Sequence, residues 1–91
     1  MITSLALLAV HGSPEIPLRD VVGMLGISMA EAQRRAARNE LPVPTHRLAD
    51  SQKAPLMVHI DDLAAHIDRC AAAARVSWGR SQINGGRHDA A

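Results

Sequence analysis

Apolar positions recur along this chain at helical spacing in some stretches and alternate in others, and the breaks between them divide it into short elements. From a Thr3 or Ser4 cap, Leu5, Leu8 and Ala9 share one face of a first helix that stops at Gly12, ahead of Ser13 and Pro14. Pro17 suits the first turn of a second helix. Val21, Val22 and Leu25 recur along it up to Gly26, where a residue free to adopt left-handed backbone lets the chain turn sharply. Ser28-Met29-Ala30-Glu31 has the form of a capping box, so a third helix begins there. It runs to about Asn39, since Leu41-Pro42-Val43-Pro44 cannot continue it.

Beyond the prolines, Val43 to Leu48 and Met57 to Ile60 read as two short strands joined by the polar segment Asp50 to Pro55, a hairpin with a basic tip. Asp61 or Asp62 caps a last helix in which Leu63, Ile67, Cys70 or Ala71, Ala74 and Trp78 follow helical spacing. After Trp78 the chain is glycine-rich and polar, with too few apolar side chains to offset the cost of ordering. The expected organisation is one domain over residues 1–78 and a flexible tail over 79–91. The expected fold is mostly α with a small β-hairpin, in the order α-α-α-β-β-α.

Two short helices meeting at a glycine turn, then a hairpin and a further helix, are the parts of an excisionase-like winged helix-turn-helix. In that fold Val21, Leu25 and Ile27 are buried between the two helices, Gly26 makes the turn, and Ala32 and Ala36 let the third helix pack closely. At about 100° per residue, the opposite face of the third helix presents Ala30, Arg34, Ala37 and Arg38, with Gln33 at its margin. Arginine can donate two hydrogen bonds to guanine, glutamine can pair bidentately with adenine, and alanine methyls permit close approach to thymine. Arg35 falls toward the flank and, with Arg47 and Lys53 of the hairpin, is suited to phosphates. Charged residues on a short helix are most often only its solvated face. The turn, the cap and the basic hairpin together favour the DNA-binding reading.

Composition changes this picture in a few respects. Ninety-one residues support one core, and with Trp78 as the only aromatic residue that core is aliphatic and thin. A homodimer would help to stabilise it. The net charge is only +1, but basic residues gather in the middle, where Arg34, Arg35, Arg38, Arg47 and Lys53 outnumber Glu40 and Asp50. The single cysteine, Cys70, implies a reducing, cytoplasmic setting; its place on the apolar stripe predicts a buried thiol. The apolar run Ile2 to Val10 is about half the length of a membrane span and has no basic residue before it, so neither a signal peptide nor a span is expected. His59, Asp62 and His66 could converge on a metal, but Asp62 and His66 at four-residue spacing also match an ordinary helix contact. Trp78 is expected to be a packing anchor or a dimer contact. No nucleophile with a base, phosphate-cradling loop or spaced carboxylate pair is evident, and the chain reads as a non-enzyme that needs no cofactor or metal.

These residues, in this order, resemble the pyocin activator (PrtN) family of prophage-encoded transcription activators. The resemblance runs from the Thr3 to Gly12 helix through Ile16-Pro17-Leu18, Leu41-Pro42, Arg47, Ser51-Gln52-Lys53, Val58-His59 and Asp62-Leu63-Ala64 to Ile67-Asp68. It implies a regulator that binds promoter DNA and switches on prophage or phage-tail-like bacteriocin genes, with RNA polymerase as a further contact. It also implies that Ser51, Gln52 and Lys53 belong to a signature wing and Arg47 to its supporting strand. The central arrangement is similar, more loosely, to small excisionases. An architectural protein that bends DNA therefore stands as an alternative, and a phage anti-repressor that binds an acidic protein partner as another.

Overall fold

The computed structural model describes residues 2–89, with side chains from Ile2 to Ile83. Helix α1 (Ile2–His11) packs across helix α4 (Ile60–Asp89). Two hydroxyls pin the crossing: Thr3 Oγ1 donates to Asp68 Oδ1 at 2.7 Å and Ser4 Oγ to Asp61 Oδ1 at 3.2 Å. The face of α1 turned inward is therefore the one that carries Thr3, Ser4 and Leu7. Leu5, Leu8 and Ala9, expected in the core, are exposed. Their spacing is helical, as read, but a run with apolar residues on every side does not reveal which side the fold will cover.

Gly12 closes α1 in a left-handed conformation (φ 74°) with its N–H on the Leu8 carbonyl at 2.7 Å. The chain then forms strand β1 (Glu15–Pro17), which pairs antiparallel with strand β2 (Met57–His59) in the register Ile16↔Val58. The expected hairpin is thereby corrected. Residues 43–48 form no strand, and their contribution is one bridge, His46↔Met57. Pro42 and Pro44 lack the N–H groups that a longer ladder would need. The observed order is α-β-α-α-β-α, a mostly helical chain with a small two-stranded antiparallel sheet, consistent with a helix-turn-helix-like fold.

Helix α2 (Leu18–Leu25) starts directly after Pro17, and Leu18 N–H is taken by the Leu56 carbonyl at 2.8 Å. Gly26, at φ 71°, ends it in the left-handed region and donates to the Val22 carbonyl. Helix α3 (Met29–Ala37) follows, capped by Ser28, whose hydroxyl accepts from Glu31 N–H at 3.1 Å. Half of the expected capping box is present. The Glu31 carboxylate does not return to Ser28 but turns along the helix to Arg34 and Arg35.

The core joins all these elements: Ile16, Leu18, Val21, Ala32 and Val58 are fully sealed, with Leu63, Ala64, Val43, Ile60 and Leu7 nearly so. Val21 and Ala32 are both buried in this core, while Leu25, Ile27 and Ala36 are partly covered. Helix α4 begins at Ile60, whose N–H reaches the Pro14 carbonyl at 2.9 Å. Leu63 and Ala64 face the core, but Cys70 is exposed rather than buried, and Trp78 is 67% exposed. Their stripe is real, but the rest of the chain ends before it does. The helix continues past Trp78 where a flexible tail over 79–91 was expected, carried on by the helix-favouring alanines before it. Residues 90–91, and the side chains of 84–89, lie outside the described residues. No helix among the described residues is long and apolar enough to cross a membrane.

Candidate nucleic-acid interface

On α3, burial of Ala32 and partial burial of Ala36 turn the opposite side outward. Ala30, Gln33, Arg34 and Ala37 are all exposed there, and Arg38 follows as the C-cap. Arg34 and Arg38 have side chains 66% and 72% exposed. Arg34 is not idle, however: its guanidinium donates to Glu31 one turn back, and Arg35 Nε donates to the other Glu31 oxygen at 3.1 Å. The hydrogen bonds from Arg34, then those from Arg35, hold the Glu31 carboxyl below its ordinary value of 4.5. Arg35, half-exposed and tied to Glu31, sits on the flank of α3. Arg38 lies 4.0 Å from Glu40.

The second half of the candidate surface is loop 47–56, closed at its base by the His46↔Met57 bridge. Its shape is set internally. Arg47 Nε donates across it to the Ala54 carbonyl at 3.0 Å, while Ser51 Oγ accepts from Lys53 N–H at 3.1 Å and the Ser51 carbonyl from Ala54 N–H. Ser51 is therefore a turn-former, and Gln52 and Lys53 are the side chains the turn presents, all three exposed.

A cleft of about 260 Å³ separates this loop from the helices, with Gln33 and Met29 on one wall, Arg47, Gln52 and Lys53 on the other, and Arg19 of α2 at its end. A second cleft, about 300 Å³, continues between Ala37 and Arg47. The fold thus brings Gln33 together with Arg47, Gln52 and Lys53, and Ala37 together with Arg47. Ala30, Arg34 and Arg38 lie exposed outside the clefts, and Ser51 does not line the one Gln33 shares with Lys53. Arg19 was absent from the sequence reading. The signal for it was available, since the first helix of such a motif crosses the nucleic-acid backbone and Arg19 is exposed in its first turn.

The base of the loop is held from behind by a pair that spacing could not reveal. His46 Nε2 lies 2.5 Å from Glu15 Oε1, and Glu15 Oε2 lies 3.8 Å from His59 Nε2. His59 Nδ1 accepts from Asp61 N–H at 3.1 Å. His59 is thus engaged with Glu15 and Asp61, and not with Asp62 and His66. His66 instead lies beside Cys70, 3.7 Å from Sγ. Among the described residues, no three His, Cys, Asp or Glu side chains are grouped to hold a metal ion.

Charged and amide donors on one helix, arrayed beside a basic loop across an open cleft, suit a polyanion that is rigid and grooved. Neither a curated protein nor a solved structure matches the chain. The family model described as pyocin activator protein PrtN matches residues 3–74, which takes in every element from α1 to the middle of α4. On that match, the chain belongs to the pyocin activator protein PrtN family.

Proposed function

We propose that this protein is a sequence-specific, double-stranded-DNA-binding transcription activator of prophage or phage-tail-like bacteriocin genes. It works as a winged helix-turn-helix built from residues 1–78. Helix α3 enters the major groove, where Arg34, Arg38 and Gln33 meet base edges and Ala30 and Ala37 allow close approach. Loop 47–56 acts as the wing: Arg47 and Lys53 follow the adjacent phosphates, Gln52 adds a polar contact, and Ser51 holds the turn. Arg35 contributes to the phosphate field from the flank. The protein acts in the bacterial cytoplasm as a homodimer, and RNA polymerase is the further partner that activation requires.

The observation that carries this reading is that Gln33 and Ala37 of α3 share their clefts with the basic loop residues while Arg34 and Arg38 stay exposed beside them. Membership of an activator family supplies the biological setting. The test is selection of bound duplexes from a random pool at fixed salt, followed by titration of the selected site and a scrambled one. Arg34→Ala and Arg38→Ala should each cost about 1–3 kcal/mol on the selected site and relax its sequence preference. Lys53→Ala should weaken both duplexes alike and reduce the salt slope by about one. Recovery of no common sequence would end the proposal, and so would equal losses on both duplexes for all three variants.

A further inference from the structure

The cations around the candidate interface divide into two groups by what surrounds them. On α3 and at its end, Arg34 and Arg35 are tied to Glu31, and Arg38 lies beside Glu40. Arg19, Arg47 and Lys53 differ. All three are exposed, and among the described residues none of them forms an ion pair with a carboxylate. All three line the cleft of about 260 Å³, which has no Asp or Glu in its walls. They reach it from separate parts of the fold, Arg19 from the first turn of α2 and the other two from loop 47–56. Three like charges held around one opening, with no counter-charge built in, leave the cleft short of an anion.

We propose that this cleft seats a single phosphate of the DNA backbone, with Arg19 on one side and Arg47 and Lys53 on the other. This rests on the DNA-binding reading above and deepens it: α2 and the wing grip the same phosphate rather than separate ones along the strand, and Arg19 joins the interface as a binding residue. Two features of the cleft select a phosphodiester. Arg47 Nε is already engaged by the Ala54 carbonyl, which holds the guanidinium against the loop. Its terminal amino groups are left as a pair of donors, the arrangement that matches the two charged oxygens of a backbone phosphate. Beneath the cations the floor is apolar, made by Met29 and Leu56, both packed against the core. A free inorganic phosphate is polar on every side and gains nothing from such a floor, whereas a backbone phosphate brings the carbons of its flanking deoxyriboses with it. Gln33 of α3 stands in the same wall. The seated phosphate thus lies next to the helix offered to the base edges and fixes the register at which that helix enters the groove.

The experiment uses the full chain and the duplex selected as above, with one backbone phosphate at a time replaced by an uncharged methylphosphonate along both strands. The wild type should show a phosphate whose neutralisation costs about tenfold or more in affinity, the loss expected for a charge-assisted contact. Arg19→Ala should bind the unmodified duplex about tenfold more weakly. Arg19→Ala and Lys53→Ala should each shrink the penalty at that same phosphate and leave the penalties elsewhere unchanged. Both positions are exposed, so the circular dichroism should stay that of the wild type, and Arg19→Gln, polar but uncharged, should repeat the result. Wild-type affinity in Arg19→Ala overturns the inference, as do effects of the two substitutions that fall on different phosphates; either outcome leaves the DNA-binding reading standing. Inorganic phosphate added at constant ionic strength should leave the complex undisturbed. Displacement that Arg19→Ala abolishes would put a free anion in the cleft and overturn the inference as well. A chain that binds no duplex ends the DNA-binding reading itself, and the phosphate seat with it.

Discussion

Glu31 is the residue on which the two jobs of α3 meet. Its backbone N–H takes the Ser28 cap, and its carboxylate restrains Arg34 and Arg35. Replacing Ser28 by Ala should cost about 1 kcal/mol of stability, as loss of an N-cap does, measured by urea denaturation. Glu31→Gln should instead release both guanidiniums and remove a negative charge from the face offered to phosphate. The expected outcome is tighter binding to random duplex with a steeper salt dependence, read by fluorescence anisotropy. Unchanged affinity would mean that the arginines are not used. Acid should reproduce part of the effect. A carboxylate held below its ordinary value favours the fold at pH above that value, and the contribution disappears as pH falls through the lowered one. Loosening of α3 should therefore begin only once the medium is more acid than the ordinary 4.5, and Glu31→Gln should abolish that step in circular dichroism. The Ser28 cap was legible in the sequence because it is local. The Glu15–His46 contact joins residues 31 apart in the chain and left no periodic trace.

Among the elements, the sheet was the hardest to foresee and does the most to position the candidate interface. Ile16 stands between Pro14 and Pro17, and prolines on both sides read as a break rather than a strand. Yet Ile16 is completely buried against Val58, and β2 holds β1 on one side and the His46 bridge on the other. In so thin a core, Ile16→Ala should cost about 2–5 kcal/mol and leave the chain largely unfolded by calorimetry. Gly26→Ala should be milder, about 1–2 kcal/mol, because no neighbour lies within 4 Å of an added Cβ and the cost is that of left-handed backbone alone. The α2-turn-α3 unit was legible from Val21, Gly26, Ser28 and Ala32 because each has a short-range signature. The expected hairpin does not form because Pro42 and Pro44 lack the N–H groups that a ladder over 43–48 would need.

For the whole molecule, the helical stripes were readable but not which of them the chain itself would cover. That information resides in tertiary crossings such as Thr3 to Asp68 and Ser4 to Asp61, where two hydroxyls and the buried Leu7 fix the rotation of α1. Loop 47–56, by contrast, meets the folded body only at its base, through the His46 to Met57 rung and the Leu56 carbonyl that accepts from Leu18 N–H. The entropy of closing a loop grows only logarithmically, by about 0.6 kcal/mol for each doubling of length, so extra residues near Ala49 and Asp50 would barely tax folding. Descendants of this chain are thus free to lengthen or shorten that appendage generation by generation, exploring new reach along a target while the interior stays under unaltered selection.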